Sequence, residues 1–179
     1  MSTTAPPERI RWAVELLDVQ PDDVVLEIGC GGGVAVELIC DRLADGHILA
    51  VDRSATMIER AQRRNGDCVA AGRASFRVAP LESVELDEAV FSTIFAINVN
   101  LFWVRNSAAE LAVLARSLLP DGRLFLFYEP PTVGQVAQTV ETLSAALERS
   151  GFDTTTTTDG RLLCVSGTQR APETRVAAR

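Results

Sequence analysis

The feature that most constrains this chain is an apolar segment that ends in a glycine-rich turn, residues 24–33 with the sequence VVLEIGCGGG. An apolar run bounded by glycine is typical of a buried strand. Gly29, Gly31 and Gly33 lack a Cβ atom, so the backbone can turn sharply and approach a ligand closely there. Glu27 lies two residues before the first of these glycines, at the predicted carboxyl end of the strand. The segment therefore predicts a strand whose carboxyl end lies beside a nucleotide-like ligand.

The spacing of the glycines separates two kinds of nucleotide site. The dinucleotide fingerprint requires G-x-G-x-x-G, but Val34 occupies the position three residues after Gly31. The spacing that does occur, E-x-G-x-G-x-G from Glu27 to Gly33, resembles the first motif of the class I S-adenosylmethionine-dependent methyltransferases. Taken alone, this short motif also fits a glycine-rich turn that binds no ligand.

A second apolar run, residues 47–53 with the sequence HILAVDR, ends in an acidic residue. Asp52 follows Gly33 by 19 residues, which leaves room for one crossover helix. A strand-helix-strand unit would place this carboxylate at the tip of the neighbouring strand, where it can accept hydrogen bonds from ribose hydroxyls. Ser54 is expected to cap the next helix, which would leave Asp52 free for the ribose.

Two further segments extend the resemblance toward residue 127. Residues 91–103 (FSTIFAINVNLFW) are similar to the fourth strand of the family, and residues 118–127 (LLPDGRLFLF) are similar to its entry into the fifth. The chain departs from the family at Ala79 and Ser92, where the family often carries Asp. Adenine contacts are then expected from the backbone, from Glu82 or from apolar packing.

The resemblance implies an α/β fold, a single-domain Rossmann-like methyltransferase fold. Its sheet would be mostly parallel and seven-stranded, with a C-terminal antiparallel hairpin and helices on both faces. The residues themselves support the hairpin, because the turn-forming pair Asp159-Gly160 separates two β-favouring runs. We expect residues 1–7 to be disordered, residues 8–168 to form the domain, and residues 169–179 to form a flexible tail.

The resemblance also implies S-adenosyl-L-methionine as cofactor and direct in-line transfer of its methyl group to a small-molecule acceptor. The cofactor-binding residues expected from the family motifs are Glu27, Gly29, Cys30, Gly31, Gly33, Asp52, Arg53, Met57, Ala79, Pro80 and Asn98. The acceptor should meet residues beyond the fourth and fifth strands, namely Asn98, Asn100, Trp103, Tyr128 and Glu129. No catalytic residue is assigned, although Tyr128 and Glu129 are candidates if a base is needed. His47 is expected at the opposite end of the sheet.

The net charge, the apolar runs and the cysteine spacing each disfavour certain kinds of partner or site. A formal net charge of -7, from 17 Arg and 24 Asp and Glu, disfavours nucleic acid and anionic membranes as partners. No apolar run reaches the roughly 18 residues of a membrane span. The four cysteines form no C-x-x-C pair, so neither a metal site nor a disulfide is expected. We expect a cytoplasmic protein that is a monomer or a homodimer.

Two other functions remain open from the sequence. A noncatalytic S-adenosylmethionine-binding accessory protein would keep the cofactor pocket without turnover. An NAD-dependent oxidoreductase shares the sheet and the acidic ribose residue, but Val34 breaks its fingerprint. Binding of S-adenosylmethionine but not of NAD would exclude the oxidoreductase. Methyl transfer to an acceptor would exclude the noncatalytic accessory protein.

Overall fold

The computed structural model describes residues 5–104 and 107–170, which form one seven-stranded sheet with helices on both faces. The strands are β1 (Val24–Ile28), β2 (His47–Asp52), β3 (Ala74–Val78), β4 (Phe91–Ile97), β5 (Leu118–Tyr128), β6 (Phe152–Asp159) and β7 (Leu162–Gln169). The helices are α1 (Glu8–Leu17), α2 (Val34–Cys40), α3 (Ala55–Arg64), α4 (Gly66–Ala70), α5 (Leu101–Val104), α6 (Ala108–Ser117) and α7 (Val136–Arg149).

The strand order is β3-β2-β1-β4-β5-β7-β6. Strands β1 to β5 pair in parallel, and β7 lies antiparallel between β5 and β6. The order confirms the predicted mostly parallel sheet with a C-terminal antiparallel hairpin. Because the chain leaves β1 toward β2 and later returns to β4 on the other side, the strand order reverses between β1 and β4. In open α/β sheets, ligands bind beyond the carboxyl ends of the strands at such a point.

Each face of the sheet carries its own apolar core. Helices α1, α2 and α3 pack on one face with Val25 and Phe95, and α6 and α7 pack on the other with Leu26 and Ile94. Neighbouring residues of β1 and of β4 thus enter opposite cores, which is why both strands are mostly apolar and do not alternate between apolar and polar residues. This double burial fixes the carboxyl ends of the two central strands.

Two boundaries differ from the sequence prediction. Strand β5 begins at Leu118, although Pro120, Asp121 and Gly122 are residues that favour a turn before a strand, and its pairing with β4 skips from Leu118 to Arg123 across these residues. Strand β7 extends to Gln169, and the Arg170 side chain donates to Asp153, so neither residue belongs to a loose tail. Residues 5–7 lead directly into α1. Residues 1–4 and 171–179, predicted to be disordered or flexible, lie outside the described residues.

The prediction that the cysteines form no disulfide is wrong. Cys40, the last residue of α2, is bonded to Cys68 in α4, with the two Cα atoms 6.3 Å apart. The two cysteines are 28 residues apart in the chain, and only the packing of α2 near α4 brings them together. The bond links the helix that follows the glycine-rich loop to the segment after α3.

Within residues 5–104 and 107–170, no helix has both the length and the apolar composition that a membrane span requires. The same residues contain no group of three or more His, Cys, Asp or Glu side chains that could hold a metal ion.

Candidate active site

The glycine-rich loop after β1 is anchored to the end of β2. The backbone N–H groups of Gly29 and Cys30 both donate to the carbonyl oxygen of Val51, at 2.7 and 3.1 Å. The N–H of Gly31 donates to Oδ2 of Asp52 at 2.9 Å. These bonds bring the two predicted anchor points of the ligand, the glycines and the acidic residue, to one place at the carboxyl edge of the sheet.

The three predicted glycines all have positive φ angles, but they serve different purposes. A Cβ at Gly29 would lie 2.6 Å from Cγ2 of Val99, and one at Gly33 would lie 2.6 Å from Nδ2 of Asn65. Close packing against the protein therefore excludes a side chain at both positions. At Gly31, with φ of +51°, a Cβ would have no atom of the described residues within 4 Å. Among these three glycines, Gly31 is therefore the one with open space beside its backbone, and the neighbouring Gly32 is equally open.

Asp52 is engaged by the backbone on both carboxylate oxygens. Besides the bond from Gly31, its Oδ1 accepts from the N–H of Ser54 at 2.9 Å. The hydroxyl of Ser54 caps α3 by accepting from the N–H of Met57, as the sequence predicts. The expectation that this cap leaves Asp52 free is wrong, because Ser54 also binds Asp52 through its backbone. A carboxylate has about four acceptor sites, so about two remain for a ligand.

Glu27 is buried beneath the glycine-rich loop, with 3% of its surface exposed. Burial, and secondarily the negative charge of Asp52, raise the pKa of its carboxyl group from 4.5 to about 8. Its Oε2 atom is buried and has no hydrogen-bond partner within the described residues. A buried acceptor without a partner is uncommon in native proteins and costs stability, so it indicates a place where a ligand donor fits.

Cys30 lies in the loop but is buried. Burial, followed by the charges of Glu27 and Asp52, raises the pKa of its thiol well above the ordinary range. The thiol therefore stays protonated near neutral pH, and Cys30 serves as a small residue that fits a tight turn.

Two residues near the end of α3 support the loop and were not predicted from the sequence. The buried side-chain amide of Asn65 donates to the carbonyl oxygens of Gly33 and Ala61, at 3.0 and 2.8 Å. The guanidinium of Arg64 donates to the carbonyl oxygen of Gly32 at 3.1 Å and pairs with Glu37 at 2.9 Å. Nothing in the sequence around Arg64 distinguishes such a loop contact from an exposed charge.

A cleft of about 380 Å³ opens at the carboxyl ends of β1, β2 and β4, and we call it the nucleoside cleft. Six of the predicted cofactor residues line it: Gly29, Asp52, Arg53, Ala79, Pro80 and Asn98. Leu81 and Val99 add apolar surface, and Glu82 also lines the cleft. The other predicted residues are Glu27, Cys30, Gly31, Gly33 and Met57, which lie outside this lining. The N–H of Ala79 already donates to the carbonyl oxygen of Asp52 at 3.0 Å.

Asn98 stands where β4 ends and has a left-handed backbone with φ of +54°. Its N–H donates to Phe127, and its Oδ1 accepts from the N–H of Glu129 at 2.9 Å. Non-glycine residues with positive φ are uncommon and concentrate at functional sites. Asn98 thus ties the end of β4 to the end of β5 and fixes the wall between two clefts.

The second cleft, of about 500 Å³, lies beyond the ends of β4 and β5, and we call it the acceptor cleft. It shares Asn98 and Asn100 with the nucleoside cleft and includes Trp103, Tyr128 and Glu129. The sequence placed the acceptor beside these same five residues. The structure therefore brings the predicted cofactor residues and the predicted acceptor residues to adjoining clefts.

The two base candidates differ in how their polar atoms are used. The hydroxyl of Tyr128 donates to the carbonyl oxygen of Val99, and burial raises the pKa of this hydroxyl above its ordinary range. The carboxylate of Glu129 pairs with Arg161 at 2.6 Å and with Arg9 at 3.7 Å. Tyr128 thus holds its proton firmly, and Glu129 is held in place by two cations.

His47 and Ser92 lie at the amino ends of their strands, away from both clefts. His47 is bound through Nδ1 to the carbonyl oxygen of Gly72 and through Nε2 to the hydroxyl of Ser75, at 2.9 and 2.8 Å. The hydroxyl of Ser92 donates to Asp23 at 2.7 Å. Both residues make structural hydrogen bonds, so the replacement of Asp by Ser at position 92 does not bear on the site.

Comparison with known proteins identifies the family. Residues 25–122, more than half of the chain, match a family model described as a methyltransferase domain. A trans-aconitate 2-methyltransferase of Methylobacterium nodulans is 35% identical over 120 residues, which cover 65% of this chain and 43% of that protein. A malonyl-[acyl-carrier protein] O-methyltransferase of Anoxybacillus flavithermus is 32% identical over 106 residues, covering 59% and 39%. The chain thus spans about two fifths of the length of these curated relatives.

Solved structures share the fold across most of the chain. A putative methyltransferase solved in complex with the Haloferax volcanii Trm112 activator superposes with a TM-score of 0.77 and 13% identity, covering 91% of this chain and 89% of that one. Geranyl diphosphate methyltransferase in complex with SAM gives a TM-score of 0.72 and 13% identity, covering 90% and 84%. The match to the family model, together with this shared fold, shows that the chain belongs to the class I S-adenosylmethionine-dependent methyltransferase family.

Proposed function

We propose that this chain binds S-adenosyl-L-methionine and transfers its methyl group to a small-molecule acceptor by direct in-line displacement. The observation that carries the proposal is the pair of adjoining clefts, which meet at Asn98 and Asn100 beyond the carboxyl ends of the central strands. One cleft is lined by Gly29 of the glycine-rich loop and by Asp52, the acidic tip of β2. The other has the residues expected at the acceptor.

Four features of the nucleoside cleft and of the glycine-rich loop beside it fit the cofactor. Gly31 leaves space where a side chain would otherwise stand. Asp52 retains acceptor capacity for ribose hydroxyls after binding two backbone N–H groups. Glu27, beneath the glycine-rich loop, has a buried carboxyl oxygen without a partner among the described residues, and its ionised form would suit the cationic amino-acid end of the cofactor. Ala79, Leu81 and Val99 supply apolar contact for the adenine ring, in place of the Asp that this chain lacks.

Bound S-adenosylmethionine supplies an activated methyl group on a sulfonium sulfur. The contribution of the protein is to hold the acceptor in line with that group, and positioning of this kind supplies about 7–11 kcal/mol in favourable cases. Both base candidates line the acceptor cleft, but the hydroxyl of Tyr128 is engaged as a hydrogen-bond donor to the carbonyl oxygen of Val99, so Glu129, whose carboxylate can accept a proton, is the better candidate. An acceptor that is already nucleophilic needs neither residue.

Calorimetry and a turnover assay test the proposal. We expect S-adenosylmethionine and S-adenosylhomocysteine to bind with micromolar affinity and NAD to give no heat of binding. Transfer of labelled methyl groups to members of a metabolite extract should then be detectable. Binding of NAD without binding of either sulfur nucleotide would refute the cofactor assignment. Cofactor binding without transfer to any acceptor would instead identify a noncatalytic binding protein.

We also propose that the protein works in the cytoplasm as a monomer or homodimer, on acceptors other than nucleic acid. The net charge of -7 supports the last point, because it gives no general attraction toward phosphate backbones. Light scattering after size exclusion measures the assembly, and a gel-shift assay with tRNA and duplex DNA at low salt tests the acceptor class. Tight binding in that gel-shift assay would contradict the proposal.

A further inference from the structure

One wall of the acceptor cleft is an indole ring that is held in a fixed orientation. Trp103 keeps 42% of its surface exposed, although a large apolar side chain is normally covered. Its ring meets Tyr128 edge to face, with centroids 6.5 Å apart and an interplanar angle of 81°. Its Nε1 donates to Oδ1 of Asn100 at 3.3 Å. The ring is thus oriented on two sides and still offers surface to the cleft.

The other described residues of the cleft offer apolar planes and uncharged polar groups. Besides the two asparagines and Glu129, they are Pro130, Pro131, Gln135, Gln138, Thr139 and Thr142. The hydroxyls of Thr139 and Thr142 each donate to a helix carbonyl oxygen one turn earlier, at 2.8 Å. The glutamine amides can both donate and accept. A ligand here meets rings, prolines and neutral hydrogen-bonding groups.

Glu129 is the single charged side chain among the described residues that line the cleft. Its two carboxylate oxygens face Arg161 and Arg9, at 2.6 and 3.7 Å. Both arginines line a separate hollow beside the β6–β7 turn and not the acceptor cleft. The charge of Glu129 is therefore balanced from outside the cleft. A charged ligand would lose hydration on entering and gain no opposite charge from these walls.

We propose that the methyl acceptor is an uncharged, planar aromatic molecule of one or two rings, which stacks on the indole of Trp103. This inference rests on the proposed function. The volume of about 500 Å³ falls in the range of small-molecule sites and accommodates such a ring. The attacking atom of the acceptor supplies the electron pair of the new bond to the methyl carbon, the pair of the broken sulfur–carbon bond returns to sulfur, and a proton on the attacking atom leaves to solvent.

Two matched probes test the inference by binding alone. 4-Hydroxyacetophenone is neutral, and 4-hydroxybenzoate has the same ring with a carboxylate in place of the acetyl group. The chain has two tryptophans, so the indole N–H signals in a ¹⁵N–¹H NMR spectrum are assigned with the Trp12→Phe variant. We expect the neutral probe to shift the Trp103 signal and to bind at least tenfold more tightly than the carboxylate.

Two variants of Trp103 distinguish stacking from apolar bulk. Trp103→Leu should weaken binding of the neutral probe about two- to tenfold, in keeping with the energy of an aromatic pair. Trp103→Phe, which keeps a ring, should lose less than Trp103→Leu. Because Trp103 does not line the nucleoside cleft, Trp103→Leu should bind S-adenosylhomocysteine within twofold of wild type.

Three results would overturn the inference: equal or tighter binding of 4-hydroxybenzoate, a shift confined to the Trp12 signal, or equal affinity of wild type and Trp103→Leu for the neutral probe. The proposed function fails by a different measurement, since it requires wild type to bind S-adenosylhomocysteine. A protein that binds S-adenosylhomocysteine but not the neutral probe would refute the acceptor class and keep the cofactor assignment.

Discussion

Replacing Gly31 with alanine tests whether the glycine-rich loop is open for a ligand or only for a turn. The substitution keeps the N–H that donates to Asp52 and adds a single methyl group. That methyl group meets nothing within 4 Å in the described protein, so it creates no internal clash. Gly72 offers a matched control, because it has φ of +72° and equally open surroundings but lies at the other end of the sheet, before β3.

The expected magnitudes follow from this geometry. A non-glycine residue in the left-handed region costs roughly 1–2 kcal/mol, so Gly31→Ala and Gly72→Ala should each lower the free energy of unfolding by this amount. For a domain of this size the loss corresponds to a fall in Tm of roughly 2–8 °C. The two variants should differ in their affinity for the cofactor. Crowding a bound cofactor by one methyl group costs about 1–3 kcal/mol, which is about 5- to 150-fold in Kd for Gly31→Ala alone.

Calorimetric titration with S-adenosylhomocysteine and thermal unfolding of the three proteins give both quantities. The reasoning requires that both variants lose similar stability while only Gly31→Ala loses affinity. If Gly31→Ala and Gly72→Ala both bind within twofold of wild type, the open space at Gly31 does not face the cofactor, and the glycine-rich loop serves only to turn the chain. Equal losses of affinity in both variants would point to general destabilisation instead.

Three further substitutions give separate tests. Asp52→Asn should weaken S-adenosylhomocysteine binding at least about tenfold and lower the Tm, because the amide NH2 would face the N–H donor of either Gly31 or Ser54. Calorimetry that shows unchanged affinity would contradict this prediction. The pKa of Glu27 is raised from 4.5 to about 8, so the folded state holds this proton at pH values where the unfolded state has lost it. The free energy of unfolding of wild type should therefore fall relative to that of Glu27→Gln as the pH rises from 4.5 to about 8, by up to about 1.4 kcal/mol per pH unit. Urea unfolding that gives the same difference between the two proteins at about pH 5 and about pH 8 would refute this. Tyr128→Phe should lose about 1 kcal/mol of stability and keep methyl transfer, whereas a loss of turnover above about 100-fold in the folded variant would identify Tyr128 as the base.

The parts of the site that could be predicted from sequence are those encoded by local patterns. The glycine spacing, the acidic residue after the second apolar run and the Asp-Gly hairpin each depend on a few consecutive residues. The structure places Gly31 and Asp52 within one hydrogen bond of each other, although 21 residues separate them. This proximity follows from the parallel pairing of β1 with β2, which the strand-helix-strand pattern had already indicated.

The parts that sequence could not supply depend on contacts between distant segments. Asn65 reads as an ordinary residue at the end of a helix, yet its buried amide holds the carbonyl oxygen of Gly33. Arg161 sits in a hairpin turn, where a charged residue needs no explanation, yet it fixes Glu129 and the carbonyl oxygens after β5. In both cases the residue type is common at its position, and only the tertiary packing assigns it a role.

The unusual state of Glu27 has a physical explanation in the same loop. Two carboxyl groups, Glu27 and Asp52, lie at the ends of adjacent strands, and the backbone N–H groups of Gly31 and Ser54 are both directed at Asp52. Burial, and secondarily the negative charge of Asp52, raise the pKa of Glu27 to about 8. A buried Glu27 without a hydrogen-bond partner lowers the stability of the fold. A cationic group of a ligand would favour the ionised form of Glu27 and would also donate a hydrogen bond to its Oε2 atom. Binding of S-adenosylmethionine at pH 7 should then release a proton, which calorimetry in buffers of different ionisation enthalpy measures directly. Identical heats in those buffers would show that Glu27 does not meet the cationic end of the cofactor.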